Sequence, residues 1–208
     1  MNKWYNYGGD DMNFYLEEPT IERKKDAIDY ISEFLKYDSD INGTGLLDKY
    51  LKEESYENWL IYLSKVQNKD YAYSINFVPN RTFFLIREED NKIVGMINIR
   101  LELNEKLKNS GGHIGYSIRP TERRKGYNKI NLYLGLKKCF EYNIKDAWLD
   151  CVVSNLGSVK TIQALGGNLL KEDFSDKYGE VVQMYTINVI ESLNKYSSIY
   201  DNSFERNI

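Results

Sequence analysis

The sequence predicts one α/β domain with helices and strands mixed along the chain, and three observations predict it. A length of 208 residues, with 42% hydrophobic and 14% aromatic content, fills one core and gives no reason to invoke two. Two apolar runs, Thr82 to Arg87 and Lys92 to Leu103, flank the charged, turn-favouring Glu88-Glu89-Asp90-Asn91, which is the pattern of a hairpin. Beyond them, strand and helix patterns alternate. His113 to Ile118 alternates as a strand, Tyr127 opens a helical pattern, Ala147 to Val153 is again a strand, and a helix runs from Ser158.

Taken in order, Met12 to Glu17 is a first strand, and Pro19-Thr20-Ile21-Glu22 turns into a helix that Thr20 is placed to cap. Ala27, Ile28, Ile31, Phe34 and Leu35 then recur at helical spacing, and the helix ends between Lys36 and Asp40. Ser39 to Gly45 is a loop, Leu46 to Lys52 a short helix, and Ser55 to Val66 a helix with an apolar stripe at Trp59, Leu60, Tyr62 and Leu63. After the hairpin, Asn104 to Ser110 leads into the next strand, where Gly111 and Gly112 mark a flexible entry or a bulge. Near the end, Asn168 to Lys171 reads as a short strand, Glu172 to Glu180 as a polar turn and Val181 to Ile190 as the closing strand. The polar tail from Glu191 either docks as a helix or stays loose.

Composition excludes several functions. A net charge of −3 argues against a general nucleic-acid binder and suits a cationic acceptor. Cys139 and Cys151 lack CxxC spacing and a histidine-rich neighbourhood, so neither zinc nor a disulfide is expected, and both read as buried thiols. No stretch approaches the ~18 apolar residues of a membrane span, so a cytoplasmic location is expected.

The segment GGHIGYSIRPTERRKG, from Gly111 to Gly126, carries the most chemistry. Pro120 ends the strand, and Arg123, Arg124 and Lys125 precede Gly126 at the start of a helix whose apolar positions are Ile130, Tyr133, Leu134, Leu136 and Phe140. The first N–H groups of a helix lack intrahelical partners and carry the positive end of its dipole, so an anion satisfies them. Gly126 lets a phosphate approach the backbone, and the three cations add charge-assisted contacts. The alternative is a solvated basic turn. A dinucleotide or P-loop site is excluded, because neither GxGxxG spacing nor a Walker lysine is present.

Arg123-Arg124-Lys125-Gly126-Tyr127-Asn128 resembles the pyrophosphate loop of the GNAT N-acetyltransferases: Gln or Arg, two residues, Gly, one residue, then Gly or Ala. Arg123 and Gly126 match, and Asn128 departs by placing a larger polar residue at the second small position. Asn155 and Ser158 are similar to the Asn-x-x-Ala/Ser helix start after the family's fifth strand. The stretch from roughly Phe83 to Val189, about half the chain, is similar to a bacterial branch of that family with a later Gly pair, here Gly166 and Gly167. The resemblance implies a mixed, mostly antiparallel central sheet flanked by helices. It also implies a division into a strand and acceptor-side helices (1–80), an acetyl-CoA-binding core (81–190) and a tail (191–208).

The implied activity is acetyl transfer from acetyl-CoA to a primary amine of a small molecule or protein, without a covalent enzyme intermediate or a metal, in a monomer or homodimer. By motif position, Tyr116, Ser117 and Ile118 face the pantetheine arm, Arg123 to Lys129 (Arg124, Lys125, Gly126, Tyr127 and Asn128 included) hold the pyrophosphate, and Asn155 and Ser158 touch the cofactor. Many relatives place a proton-donating Tyr seven residues after the helix-starting Asn, where this chain has Ile162. Tyr116, or water, is then the candidate acid. Asp150, five residues before Asn155, and His113, the only histidine, are the candidate bases, with Glu102 a weaker one. Tyr50, Tyr56 and Trp59 either contact the acceptor or belong to the core. The second function class is a CoA-binding sensor or interaction module without turnover.

Overall fold

The computed structural model describes residues 13–201. Strand β1 (Phe14–Glu17) leads through a 3-10 turn (Ile21–Arg23) into α1 (Lys24–Lys36). Thr20 stands at the cap position of that turn but makes no side-chain capping bond. The corner is held by Arg23 instead, whose guanidinium donates to Glu17 at 2.7 and 2.9 Å and to Asn91 Oδ1 at 2.7 Å. The expected strand start at Met12 lies outside the described residues.

Helices α2 (Leu47–Glu53), α3 (Tyr56–Val66) and α4 (Lys69–Ser74) follow, then β2 (Asn80–Arg87), β3 (Lys92–Arg100), α5 (Glu105–Asn109) and β4 (Ile114–Ile118). Ser55, Asn68 and Asn104 cap α3, α4 and α5, each side chain accepting from an N–H three residues on. Helix α6 (Tyr127–Glu141), β5 (Asp146–Val152), α7 (Leu156–Ala164), β6 (Asn168–Ser175), β7 (Glu180–Asn188) and α8 (Val189–Tyr200) complete the order.

Two antiparallel sheets result, β1-β2-β3-β4 and β5-β7-β6. Phe84, Ile86, Ile93 and Met96 pack under α1 to α3 on one face of the first sheet, with Tyr30, Phe34, Tyr56 and Trp59. Phe83, Leu85, Ile97, Ile99 and Ile114 face α6 on the other, in a core that continues into β5, α7 and β7. This is the mixed, mostly antiparallel architecture flanked by helices that the resemblance implies.

Three segments depart from expectation. Glu172 to Ser175 extends β6 rather than forming a turn, because the strand pairs along its length with β7 while its side chains stay mostly exposed, so composition alone mimics a loop. Asn104 to Asn109 is a capped helix, so β3 ends at Arg100 and not at Leu103. Helix α8 begins at Val189, inside the expected closing strand, where Asn188 accepts from the N–H of Glu191.

The turn between β4 and α6 is held by buried charge. Arg119, 3% exposed, donates to Asp29 at 2.7 Å, Glu33 at 2.9 Å and the Ile93 carbonyl at 3.0 Å, and Glu33 receives the N–H and hydroxyl of Thr121. Glu122, 5% exposed at its side chain, gathers Arg87, Lys92 and Lys125 at 2.9, 3.1 and 2.7 Å. Burial alone raises its pKa, but Lys125, Arg87 and Lys92 outweigh this and hold it at about 2, against an ordinary 4.5. A depressed carboxylate stabilises the fold above its unfolded value and loses that contribution as pH falls through its folded value. Glu122 is therefore expected to contribute to acid unfolding between about pH 4.5 and 2. Glu122→Gln should be less stable at neutral pH and lose less on acidification, measured by urea melts from pH 7 to 3.

Candidate active site

Strands β4 and β5 meet at one place and then part. The His113 N–H donates to the Trp148 carbonyl at 2.7 Å, and the Trp148 N–H returns to His113 Nδ1 at 3.1 Å. Beyond that link β4 pairs only with β3 and β5 only with β7. Gly112 makes the approach possible: a Cβ there would stand 2.5 Å from the Trp148 carbonyl carbon, and its φ is +59°.

The bonding phase says which groups line the gap. Arg100 N–H donates to His113 and Arg119 N–H to Val94, so the odd-numbered residues of β4 bond to β3. The N–H and C=O groups of Ile114, Tyr116 and Ile118 therefore face β5. This corrects the assignment of Ser117, whose backbone turns to β3 and whose hydroxyl meets Tyr30 at 3.0 Å on the opposite face. Ile118 offers its N–H, because its carbonyl accepts from Arg123 Nε at 3.1 Å.

At the far end of the gap, α6 begins at Gly126, with φ +84° and nothing within 4 Å of a Cβ placed on it. Arg124 is exposed, with φ +65°. Arg123 is drawn back to Ser39 and stacks over Phe34, and Lys125 pairs with Glu122, so Arg124 and Lys129 are the cations of this run whose side chains have no such partner among the described residues. Tyr127 is a second correction: its ring lies in the core, 4.7 Å from that of Phe14, leaving only its backbone near the helix start.

Between the two ends, three motif residues distant in sequence converge. The Tyr116 hydroxyl lies 2.6 Å from Ser158 Oγ. Asn155 caps α7 by accepting from the Ser158 N–H at 3.1 Å, which anchors the backbone that carries that hydroxyl. Asn128 donates to Thr161 Oγ1 at 3.3 Å, while its Oδ1 is buried and accepts no hydrogen bond among the described residues. Burial raises the Tyr116 pKa above its ordinary 10, only partly countered by Ser158 and Asn128, so the hydroxyl keeps its proton. Neighbouring Cys151 is pushed up to about 11 by burial and stays a thiol. Ile162, one turn beyond Ser158, is fully buried and would collide with a Cβ on Gly167.

Of the candidate bases, His113 is held at about 4 by burial and by Arg100, and its Nδ1 lone pair is taken by Trp148. It is neutral and braces the link. Asp150 Oδ2 accepts from Ser110 Oγ at 3.1 Å and the Gly111 N–H at 2.7 Å, leaving Oδ1 without a partner among the described residues. Glu102 lies apart, bound to Lys69 and the Tyr73 hydroxyl. Tyr56 and Trp59 are core, and Trp59 Nε1 donates to the Gly45 carbonyl at 2.7 Å, bracing the loop before α2. That loop lies on β4: a Cβ on Gly43, φ +73°, would stand 2.5 Å from Tyr116 Cα. Arg100 was not among the expected site residues. Its Nη1 donates to the carbonyls of Gly111 and Gly112, both at 3.0 Å, beside the link.

Residues 45–166 match the acetyltransferase (GNAT) family. Similar solved structures include a spermidine N-acetyltransferase SpeG chimera from Vibrio cholerae and hSSAT, 14% identical, covering 88% of this chain and 99% of that one, at a TM-score of 0.58. The microcin C7 self-immunity acetyltransferase MccE in complex with acetyl-CoA and AMP is 14% identical over 84% of this chain and 91% of its own, TM-score 0.58. Mycobacterium smegmatis RimJ in complex with CoA-disulfide is 14% identical over 88% and 89%, TM-score 0.59. At these identities the likeness is one of fold. The chain matches no curated protein.

Proposed function

Because this chain belongs to the acetyltransferase (GNAT) family, we propose that it moves an acetyl group from acetyl-CoA to a primary amine by direct attack within a ternary complex. The observation that carries this reading is the parting of β4 and β5, which leaves the backbone groups of β4 that face β5 without a strand partner. Unpaired backbone groups inside a fold are costly, and an amide-bearing arm laid between the strands supplies their partners. The open backbone edge of β4, the helix start at Gly126 and the exposed Arg124 suit the same ligand's amides and phosphates. On this reading 81–190 binds the cofactor, and 1–80, through the Gly43 loop, walls the acceptor side.

Bound acetyl-CoA supplies an activated thioester carbon. Asp150, through its free Oδ1, takes the proton of the attacking ammonium. The N–H of Tyr116, on the edge of β4, faces the charge that develops on the carbonyl oxygen. As the new N–C bond forms and the C–S bond breaks, the Tyr116 hydroxyl, in a role relatives give to the position of Ile162, protonates the departing sulfur; the second proton that the acylated nitrogen sheds passes through water to restore the phenol, so Asp150 carries away the one net proton. Ser158, its 2.6 Å partner, fixes its rotamer.

Arg124→Ala is expected to weaken acetyl-CoA binding about fivefold, more at low salt than at high, as measured by calorimetry. The reading as a whole is tested by free thiol released from acetyl-CoA across a panel of amines. Thiol release that requires an amine, with the acetyl group found on it by mass spectrometry, is the expected outcome. Ile162 and Asn128 favour a second reading, a CoA-binding sensor, and tight binding with no release for any amine would select it.

A further inference from the structure

The acceptor side of the gap carries a charge arrangement that the transfer reaction by itself does not require. Arg100 ends β3 on the face shared by Asn98, Gly115 and Asp150. It is largely enclosed and forms no ion pair among the described residues. Nη1 serves the carbonyls of Gly111 and Gly112, while Nε and Nη2 make no hydrogen bond among the described residues and are not among the sealed polar atoms. Nη2 would lie 3.8 Å from a Cβ on Gly115, and Gly43 N 3.4 Å from the same point. The absence of a side chain at Gly115 thus keeps a slot between the Gly43 loop and the guanidinium.

Asp150 grips the same segment from the other side, through Ser110 and Gly111, and its free Oδ1 forms no salt bridge with Arg100. The two opposite charges are therefore held apart by shared anchors, each with one side unfilled. Tyr62 and Tyr178 act on Arg100 electrostatically together with Asp150, and Lys177 donates to the Tyr178 hydroxyl at 2.8 Å, leaving that hydroxyl's proton free to donate. Burial lowers the Arg100 pKa, the mark of a cation short of solvation. A guanidinium presenting an open Nε and Nη2 edge matches an oxyanion, and a carboxylate with one bare oxygen matches an ammonium.

We propose that the acceptor is a zwitterion, an amine carrying a carboxylate or phosphate, with the amine at Asp150 Oδ1 and the oxyanion at Arg100. This rests on the transfer reading for the amine's fate but not for its binding. A polycation meets Arg100 unfavourably and is a poor acceptor on this account, so the expectation of a cationic acceptor drawn from net charge is narrowed to an amine that also bears an anion.

The test uses the full chain and matched amines: leucine against isopentylamine, phosphoethanolamine against ethanolamine, and spermidine as the polycation. Thiol release from acetyl-CoA is measured, and in parallel calorimetric binding to the CoA-saturated protein. At least one anion-bearing member is expected to exceed its neutral partner about tenfold in kcat/KM or affinity, the worth of one charge-assisted hydrogen bond pair. The better pair tells a carboxylate from a phosphate. Arg100→Gln should bring that ratio below about twofold, because the anion-bearing member loses more than its neutral partner, and Arg100→Lys should keep part of it. If Arg100→Gln does not fold, Arg100→Lys, which keeps the charge but not the planar fork, should still reduce the ratio about threefold.

Neutral amines or spermidine used as well as the anion-bearing ones overturn the proposal, as does a panel in which no anion-bearing amine binds or turns over. A loss in Arg100→Gln that falls equally on both members of a pair also overturns it. Charge-selective binding without thiol release sinks acetyl transfer and leaves the zwitterion site standing, whereas unselective release does the reverse.

Discussion

Tyr116→Phe is expected to lower kcat about 100-fold while leaving the acetyl-CoA dissociation constant within about threefold, because it removes one proton donor and almost no contact area. The hydroxyl is hydrogen-bonded to Ser158 at 2.6 Å in the gap opposite α7, while Ile162, on α7 itself, is buried and carries no proton. Its pKa stands above 10, so wild-type kcat should show no alkaline decline assignable to it below about pH 10. Ser158→Ala should fall between wild type and Tyr116→Phe, since it frees the ring's rotamer but keeps the acid. The fold should lose only about 1 kcal/mol in either variant, the worth of one hydrogen bond. An unchanged kcat at every pH in Tyr116→Phe would assign the proton to water and remove Tyr116 from the mechanism.

Gly112→Ala carries the second large effect, this time on the fold. The residue has φ +59°, and a Cβ would stand 2.5 Å from the Trp148 carbonyl carbon and 2.9 Å from the Leu149 nitrogen, both backbone atoms with no rotamer to relax. A left-handed non-glycine residue costs about 1–2 kcal/mol and a forced core contact about 1–3 kcal/mol more, so a loss of about 3 kcal/mol is expected. At this chain length that lowers Tm by roughly 6–12 °C. Activity should fall further than stability explains, because the shift moves the His113–Trp148 link from which the strands diverge. Gly126→Ala is the control: its positive φ of +84° imposes backbone strain without any contact within 4 Å. Equal melting temperatures for Gly112→Ala and wild type would mean that the link is not held by this close approach.

Local chemistry made the centre of the fold readable. Pro120 ends β4, Gly126 opens α6, and the charged turn at 88–91 separates two strands, because each acts on its own backbone within a few residues. The short helices α4 and α5 were not legible, since six and five residues give too little periodicity to distinguish from a polar loop. Their capping residues Asn68 and Asn104 were the available signal. The polar strand β6 was misread from Glu172 onward because pairing with β7, not burial, holds it.

Within the site, motif order singled out Tyr116, Asn128 and Ser158 but said nothing of their convergence, which depends on how α6 and α7 close over β4. It also credited Ser117 and Tyr127 with contacts their strand phase and core packing deny them. In the sequence Arg100 lay inside a strand expected to run on to Leu103. Only the return of the chain through Gly111 and Gly112 shows that its guanidinium caps the opening of the gap. Glu122, a lone acid among the cations of RPTERRK, is in the structure the counter-ion of Arg87, Lys92 and Lys125.

On the proposed reading, acetyl-CoA lies between β4 and β5 with its phosphates at the start of α6. Amide NMR of the full chain titrated with acetyl-CoA tests it most directly. The expected result is saturable shifts at Tyr116, Ile118 and 124–128, with smaller ones at Ser158 and Thr161 and none at β1 or the far end of α8. Shifts that leave Tyr116 and Gly126 unmoved at saturation, or that centre on another face of the molecule, would contradict it.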